Sequence, residues 1–262
     1  MLFRRKTGLG DKTVLITGAS SGIGAELARQ LSRKSCRLLL LARREEELRR
    51  LVAGLSPHPA GHRVYPCDVT DERRVGEVFR RLEDESLLTD VAILNAGMSN
   101  GFDAARFDLE RMRNLFEVNL FGVLNVLARV LPAMIRRGSG IVAVTGSLAG
   151  VRGMPRAAPY SASKAALAAF VDSLRIDLVD SGVRAVLIEP GFVRTPMTDK
   201  NRFTMPFLMP VERAVRIIIR GLEKGSPEIH FPRLLSWPAK LSVLLPGRLY
   251  ARLMHRRNRS GA

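Results

Sequence analysis

The chain has 262 residues, of which 46% are hydrophobic and 26% charged, a balance that excludes a disordered protein and allows a sizeable core. Its 42 Lys and Arg against 25 Asp and Glu give a net charge of +17, which favours anionic partners (nucleic acid, lipid or phosphorylated ligands) without choosing among them. Uninterrupted apolar runs fall short of a membrane span, and the basic Met1–Lys6 leads into Thr-Gly-Leu-Gly-Asp rather than an apolar segment. Cys36 and Cys67 lack the Cys-x-x-Cys spacing of a zinc or redox motif. A cytoplasmic protein with reduced, buried thiols and no metal centre is expected.

Thr13-Val14-Leu15-Ile16-Thr17 reads as a buried parallel strand. It runs into Gly18-Ala19-Ser20-Ser21-Gly22-Ile23-Gly24 and then a helix with Ile23, Leu27, Ala28 and Leu31 on one side. Strand, glycine-rich turn and helix N-terminus together make an anion site, because glycines allow close backbone approach and free N–H groups face the negative charge. A second strand, Arg37–Ala42, ends at Arg43 and Arg44, where NAD-selective folds place a carboxylate for the ribose. A guanidinium there suits a 2′-phosphate, so NADP(H) is expected over NAD(H).

Glu45–Leu55 reads as a charged helix, Arg63–Thr70 as a third strand ending at Asp68, and Asp71–Glu85 as an amphipathic helix with Val75, Val78, Phe79 and Leu82 inward. Val91–Leu94 gives a fourth strand that ends at Asn95-Ala96-Gly97. Asp108–Arg137 reads as one long helix with Asn119 on or beside its apolar stripe, where a buried amide needs partners. Gly140–Thr145 is a fifth strand leading to Gly146-Ser147. The spacing then predicts a helix from Pro159 to Ser181 that carries Tyr160 and Lys164 on one face, a turn apart. Val183–Ile188 makes a sixth strand and Glu228–Phe231 a seventh, with a helix over Val211–Lys224 between them.

Strands and helices in this alternation imply an α/β fold, a doubly wound parallel seven-stranded Rossmann-like sheet with helices on both faces. Residues 1–232 form a single domain with a substrate loop at about 192–210, where Phe203, Met205, Phe207, Leu208 and Met209 are dense enough to cover a substrate or a neighbouring subunit. Residues 233–262 carry Arg233, Lys240, Arg248, Arg252, Arg256, Arg257 and Arg259 with no acid, beside Leu241, Leu244, Leu245, Leu249, Leu253 and Met254. Such a basic amphipathic extension suits an anionic membrane surface, a lid on the substrate cleft or a partner subunit.

Thr17-Gly18-x-x-x-Gly22-x-Gly24, Asp68, Asn95-Ala96-Gly97, Asn119, Ser147, Tyr160-x-x-x-Lys164 and Pro190-Gly191 together resemble the short-chain dehydrogenase/reductase family over about residues 10–232. They occur in the family's order, and Ser147 precedes Tyr160 by the family's usual separation. Leu94 stands where many members have Asn. The resemblance implies that Tyr160 is the general acid or base, that Lys164 lowers its pKa and holds the nicotinamide ribose, and that Ser147 hydrogen-bonds the substrate oxygen. It implies that Asn119 positions a water for proton resupply. It assigns Gly18, Ser20 and Ile23 to the pyrophosphate, with Ser21, Gly22 and Gly24 of the same turn in the cofactor site, and Asp68 and Val69 to the adenine; the position of Arg43 after the second strand suits the 2′-phosphate. Asn95, Ala96, Gly97, Pro190, Gly191, Val193 and Thr195 line the rest of the cofactor.

The function expected is reversible reduction of a ketone or aldehyde to an alcohol, with a lipophilic small-molecule substrate, in a homodimer or homotetramer. The alternatives are a non-catalytic NADP-sensing protein, a lipid-modifying reductase at the membrane surface, or a non-specific nucleic-acid binder. No nucleic-acid motif or aromatic stacking platform accompanies the charge, so no specific nucleic acid is expected.

Overall fold

The structure, a computed structural model, describes residues 8–201 and 203–259. Met1–Lys6 and the side chains of Arg256, Arg257 and Arg259 lie outside the described residues. Seven parallel strands, β1 (Thr13–Thr17), β2 (Arg37–Ala42), β3 (Arg63–Pro66), β4 (Val91–Leu94), β5 (Gly140–Thr145), β6 (Val183–Pro190) and β7 (Glu228–Phe231), form one sheet in the order β3-β2-β1-β4-β5-β6-β7. The order reverses between β1 and β4, and the crevice for a ligand opens beyond the carboxyl ends of the strands at such a switch point.

Both sheet faces are apolar because both are covered. In β1 and β2, Val14, Ile16, Leu38 and Leu40 face one core, shared with α1 (Gly22–Ser32) and with Ile218, Ile219 and Leu222 of α7 (Val211–Glu223). Leu15, Leu39 and Leu41 face the other, which is filled by Val75, Val78 and Leu82 of α3 (Glu72–Asp84), Val123, Val126 and Val130 of α5 (Gly122–Arg137), and Leu167 and Val171 of α6 (Ala158–Asp177). The period of two in the strands thus meets the 3.6 period of helices on either side. Short α2 (Glu45–Ala53) follows β2 and buries Leu48 and Leu51.

Several boundaries differ from the sequence pattern, among them the end of α6, which stops at Asp177 rather than Ser181. β3 stops at Pro66 instead of reaching Asp68. It is an edge strand, where a residue without an N–H is tolerated, and Asp68 turns back to accept from the Thr70 amide and hydroxyl at 3.0 and 2.9 Å. β6 runs on through Pro190, paired with His230 and Phe231 of β7. The stretch expected as one helix over Asp108–Arg137 consists of α4 (Leu109–Phe116) and α5 joined by a π-turn at Glu117–Phe121, with Asn119 inside the turn. Leu109–Arg137 is long and apolar enough by composition to cross a membrane; in this fold Val123, Val126, Leu127 and Val130 of that stretch are buried in the core.

The extension is helical too: α8 (Arg233–Leu241), a 3-10 turn at Ser242–Leu244, and α9 (Gly247–Arg259) after Pro246. Cys36 and Cys67 are free and buried.

Candidate active site

The carboxyl ends of β1, β4, β5 and β6 bring the separate motifs to one edge. Gly18 follows β1 with φ +64, and Gly22 opens α1 with φ +55, conformations that cost an L side chain about 1–2 kcal/mol. A methyl group on Gly24 would come within 2.3 Å of the Gly18 carbonyl oxygen, so only glycine lets α1 pack this closely on the turn. Ser21, at the N-cap of α1, makes no side-chain capping bond, and the first turn holds no acid. The helix therefore presents its N–H groups and the positive end of its dipole to the crevice.

Thr17, the first residue of the glycine-rich motif, organises the next strand end. Its hydroxyl accepts from the backbone N–H groups of Asn95 and Ala96, both at 3.0 Å, and its carbonyl accepts from Asn95 Nδ2 at 3.4 Å. Gly97 then passes close beneath the catalytic candidates: a methyl group there would lie 3.2 Å from Asn119 Oδ1 and 3.6 Å from Lys164 Nζ.

Asn119 is fully buried and both ends of its amide are hydrogen-bonded. Oδ1 accepts from Met98 N at 2.7 Å, while Nδ2 donates to Met98 O at 3.0 Å and to Ser163 Oγ at 3.1 Å. Ser163 in turn donates to the Tyr160 carbonyl at 2.8 Å, so the π-turn, the loop after β4 and α6 are locked together. A π-turn disrupts the i→i−4 ladder locally and often marks a functional position.

Ser147 caps the 3-10 turn Leu148–Gly150, accepting from Ala149 N at 3.1 Å, and its hydroxyl lies 3.5 Å from the Pro190 carbonyl. That hydroxyl also acts on the Tyr160 phenol, lowering its pKa. Lys164, 4% exposed, donates from Nζ to the Thr145 carbonyl at 2.7 Å. Burial pushes the Tyr160 phenol above its ordinary pKa, and the Ser147 hydroxyl pulls it back. Burial also lowers the Lys164 ammonium to about 8. The Tyr-x-x-x-Lys spacing implies a lysine that favours the phenolate; here the group acting on the phenol is Ser147, and Lys164 Nζ stands 5.9 Å from the centre of the tyrosine ring.

At the end of β2 the two arginines diverge. Arg43 reaches Asp68 across 3.6 Å as an exposed pair, of a kind that adds little stability. Arg44 lies over the glycine-rich turn, donating to Ser20 Oγ at 2.8 Å and Ser21 Oγ at 3.0 Å. Asn125 holds the Val69 carbonyl at 2.9 Å. Thr195 sits against Gly22, whose added methyl would lie 3.3 Å from its side chain. Thr195 N donates to Thr198 Oγ1 at 3.0 Å, and Thr198 also holds the Val193 carbonyl at 2.7 Å.

Two segments that flank the site are braced. The loop at 192–210 is closed at its base by pairing of Val193 with Met209, with Phe203 edge-on to Phe192 at 5.9 Å. Met209 is buried, whereas Phe203 and Phe207 are exposed. The segment before α6 is held by the extension: Arg152 donates to the carbonyls of Ser242 and Leu245 and stacks 4.0 Å over the Tyr250 ring, and Tyr250 donates to the Gly153 carbonyl at 2.8 Å. A separate cleft of about 520 Å³ lies at the opposite, amino-terminal edge of the sheet, among Asp90, Gly140, Arg175 and Gly182. The Ser–Tyr–Lys group does not line it.

A parallel sheet with a glycine-rich turn at its switch point and a Ser–Tyr–Lys group at the same edge defines a dinucleotide-dependent oxidoreductase. The chain matches the short chain dehydrogenase family over residues 12–205 and belongs to it. An uncharacterized oxidoreductase of Myxococcus xanthus (strain DK1622) is 39% identical over 244 residues, covering 91% of this chain and 94% of that protein. A ketoacyl reductase of Nostoc sp., HetN, is 30% identical over 227 residues, covering 85% of this chain and 79% of the relative. The crystal structure of a short chain dehydrogenase from Burkholderia cenocepacia J2315 in complex with NADP superposes with a TM-score of 0.80 at 26% identity, covering 95% of this chain and 99% of that one.

The family binds NAD(P), and the residues here fit such a group. Glycine backbone at Gly18, Gly22 and Gly24 leaves the turn bare, the N-terminus of α1 is uncapped by side chains, and two guanidinium groups stand beside it.

Proposed function

We propose that this protein reduces a lipophilic ketone or aldehyde to an alcohol, and runs the reverse oxidation, with NADP(H) in preference to NAD(H). The observation that carries this reading is the gathering of Ser147, Tyr160 and buried Lys164, whose Nζ donates to the Thr145 carbonyl, at the same edge as the bare glycine turn. When bound, the dinucleotide supplies or accepts the hydride.

The chain's own residues do the remainder. Gly18, Ser20, Ser21, Gly22, Ile23 and Gly24 hold the pyrophosphate through backbone N–H groups and the α1 dipole. Arg43 and Arg44 read the 2′-phosphate, and Arg44 also ties the turn's two serines into that contact. Asp68 and Val69 frame the adenine, while Asn95, Ala96, Gly97, Pro190, Gly191, Val193 and Thr195 line the nicotinamide half. Tyr160 gives its phenolic proton to the substrate oxygen during reduction and takes it back during oxidation. Ser147 donates to that same oxygen as negative charge gathers on it. Lys164, with a pKa lowered to about 8, exchanges protons near neutral pH and hands them toward Tyr160. Asn119 holds the geometry: its amide is committed to Met98 and Ser163, which fixes α6 and the Met98 loop against each other.

The substrate lies between the Phe203 loop and the segment before α6, two walls rich in apolar side chains. The ketoacyl reductase activity named for the Nostoc relative points to acyl carbonyls as the first substrates to try. Subunits pair through the helices that carry Asn119 and Tyr160, where Phe121, Ile135 and Phe170 are exposed. Oxidation of NADPH and NADH, followed at their nicotinamide absorbance against ketoacyl, steroid, sugar and quinone carbonyls, tests the reading. Turnover with an apolar carbonyl and NADPH supports it; tight NADPH binding with no turnover on any class favours a cofactor-sensing protein.

A further inference from the structure

The extension after Pro232 is an ordered platform, and its orientation is fixed from within. On α8, Ser236 is buried and bonds His230 at 2.8 Å, and Leu235 lies against Gly191. Lys240 pairs with Glu189 at 3.4 Å and with Glu228. These contacts turn the opposite side of α8 outward. Leu234, Trp237 and Leu241, spaced i, i+3 and i+7 on that side, are 71, 59 and 58% exposed. Beyond the helix, Val243 and Leu244 are 54 and 78% exposed, and Leu249 and Leu253, one turn apart on α9, are 47 and 49% exposed. Arg152 anchors the bend between the helices and the first turn of α9.

Large apolar side chains exposed at this density along one segment mark an interaction site. Its charge indicates the occupant. Arg233, Arg248 and Arg252 are exposed around it, and residues 233–262 contain no Asp or Glu. A second copy of the same face would bring these arginines against each other with no acid to answer them. Nucleic acid would answer the charge and leave the leucines unpaired. A phospholipid headgroup layer answers both: acyl chains take the leucines, phosphates take the arginines, and an indole rests at the boundary. Each arginine near an anionic leaflet strengthens binding roughly fivefold at low salt.

We propose that the outward face of α8 and α9 docks the protein on an anionic phospholipid surface. This goes beyond the catalytic reading and stands apart from it, since docking needs neither cofactor nor substrate.

Trp237 is the only tryptophan in the chain, so its fluorescence reports on this face alone. Full-length protein is mixed with vesicles of phosphatidylcholine, with and without phosphatidylglycerol, and assayed by cosedimentation and Trp237 emission. The expected result is binding to the phosphatidylglycerol vesicles with a blue shift of the emission, weakened by added salt. Leu234→Glu with Leu241→Glu should lower the affinity at least tenfold, and Arg248→Glu with Arg252→Glu should lower it tenfold or more at low salt. Both pairs should melt at the wild-type temperature, because the side chains are exposed. Equal binding to both vesicle types, an unshifted Trp237 emission, or wild-type binding by the Leu→Glu pair would overturn the proposal. So would a dimer that Trp237→Glu dissociates, which would make the face a subunit interface. An emission shift with duplex DNA but not with vesicles would assign it to nucleic acid instead.

Discussion

Lys164 Nζ stands 5.9 Å from the centre of the Tyr160 ring and donates instead to the Thr145 carbonyl at 2.7 Å. Four positions apart on α6, the two side chains occupy different environments, the phenol against Ser147 and the ammonium buried under the strand ends. Each consequence of that arrangement can be measured.

Removing only the phenolic oxygen isolates the proton step. Tyr160→Phe should lower kcat by about 100- to 10,000-fold, the usual worth of a positioned general acid. Binding of NADPH, read by fluorescence titration, should stay within about twofold, since the ring and the Lys164–Thr145 bond remain in place. Substantial turnover by this variant would remove Tyr160 from the proton-transfer role.

Lys164 makes stability depend on pH in a definite direction. Its folded pKa of about 8 lies below the ordinary 10.5, so between these values the unfolded chain binds more protons. Stability contributed through this group must therefore rise with pH across that window, and the cost of burying the charge is fully felt below pH 8. The Cys36 and Cys67 thiols, each pushed up to about 11 by burial, act in the opposite sense above pH 9. The difference between wild type and Lys164→Met separates the two effects. Chemical denaturation of the apoprotein should show Lys164→Met more stable at pH 7 by about 1–3 kcal/mol, with the advantage shrinking toward pH 10. A difference that does not change with pH would mean the ammonium is not desolvated.

The two arginines after β2 divide the cofactor contact. Arg44→Ala should weaken NADPH by about 10- to 100-fold, the worth of a charge-assisted hydrogen bond of about 1.5–3 kcal/mol. It should weaken NADH by less, through the loosened Ser20–Ser21 turn alone. Arg43→Ala should act on NADPH only. Titration of both cofactors against both variants checks this, and equal losses for NADPH and NADH in Arg43→Ala would show that Arg43 does not read the phosphate.

Thr17→Val keeps the shape of a buried residue and removes the acceptor of two backbone N–H groups. Two unpaired donors should lower stability by about 2–4 kcal/mol. The midpoint of urea denaturation should fall with an unchanged m-value. Cofactor affinity should fall as well, because Asn95-Ala96-Gly97 loses its support.

The sequence by itself determined the sheet and its contents. Runs such as Val14–Ile16 and Leu38–Leu41 are short, apolar at every position and, in the first, followed at once by a glycine-rich turn, which reads as strands buried on both faces. Tyr160, Lys164, Ser147 and Asn119 were legible as chemistry because their spacing survives in the linear order. Thr17 and Arg44 stood in the motif and at the strand end, but their partners were not legible: Thr17 supports Asn95 and Ala96, and Arg44 binds Ser20 and Ser21, across the fold. The π-turn at Glu117–Phe121 was equally hidden: its apolar periodicity is that of a plain helix, and only the packing of Asn119 against Met98 and Ser163 shows where the ladder slips. Tertiary structure also decided the environment of Lys164, because spacing places a side chain on a helix face while burial sets its charge. For the extension, the sequence supplied leucines and arginines, and the Lys240 and Arg152 contacts determined which of them face outward.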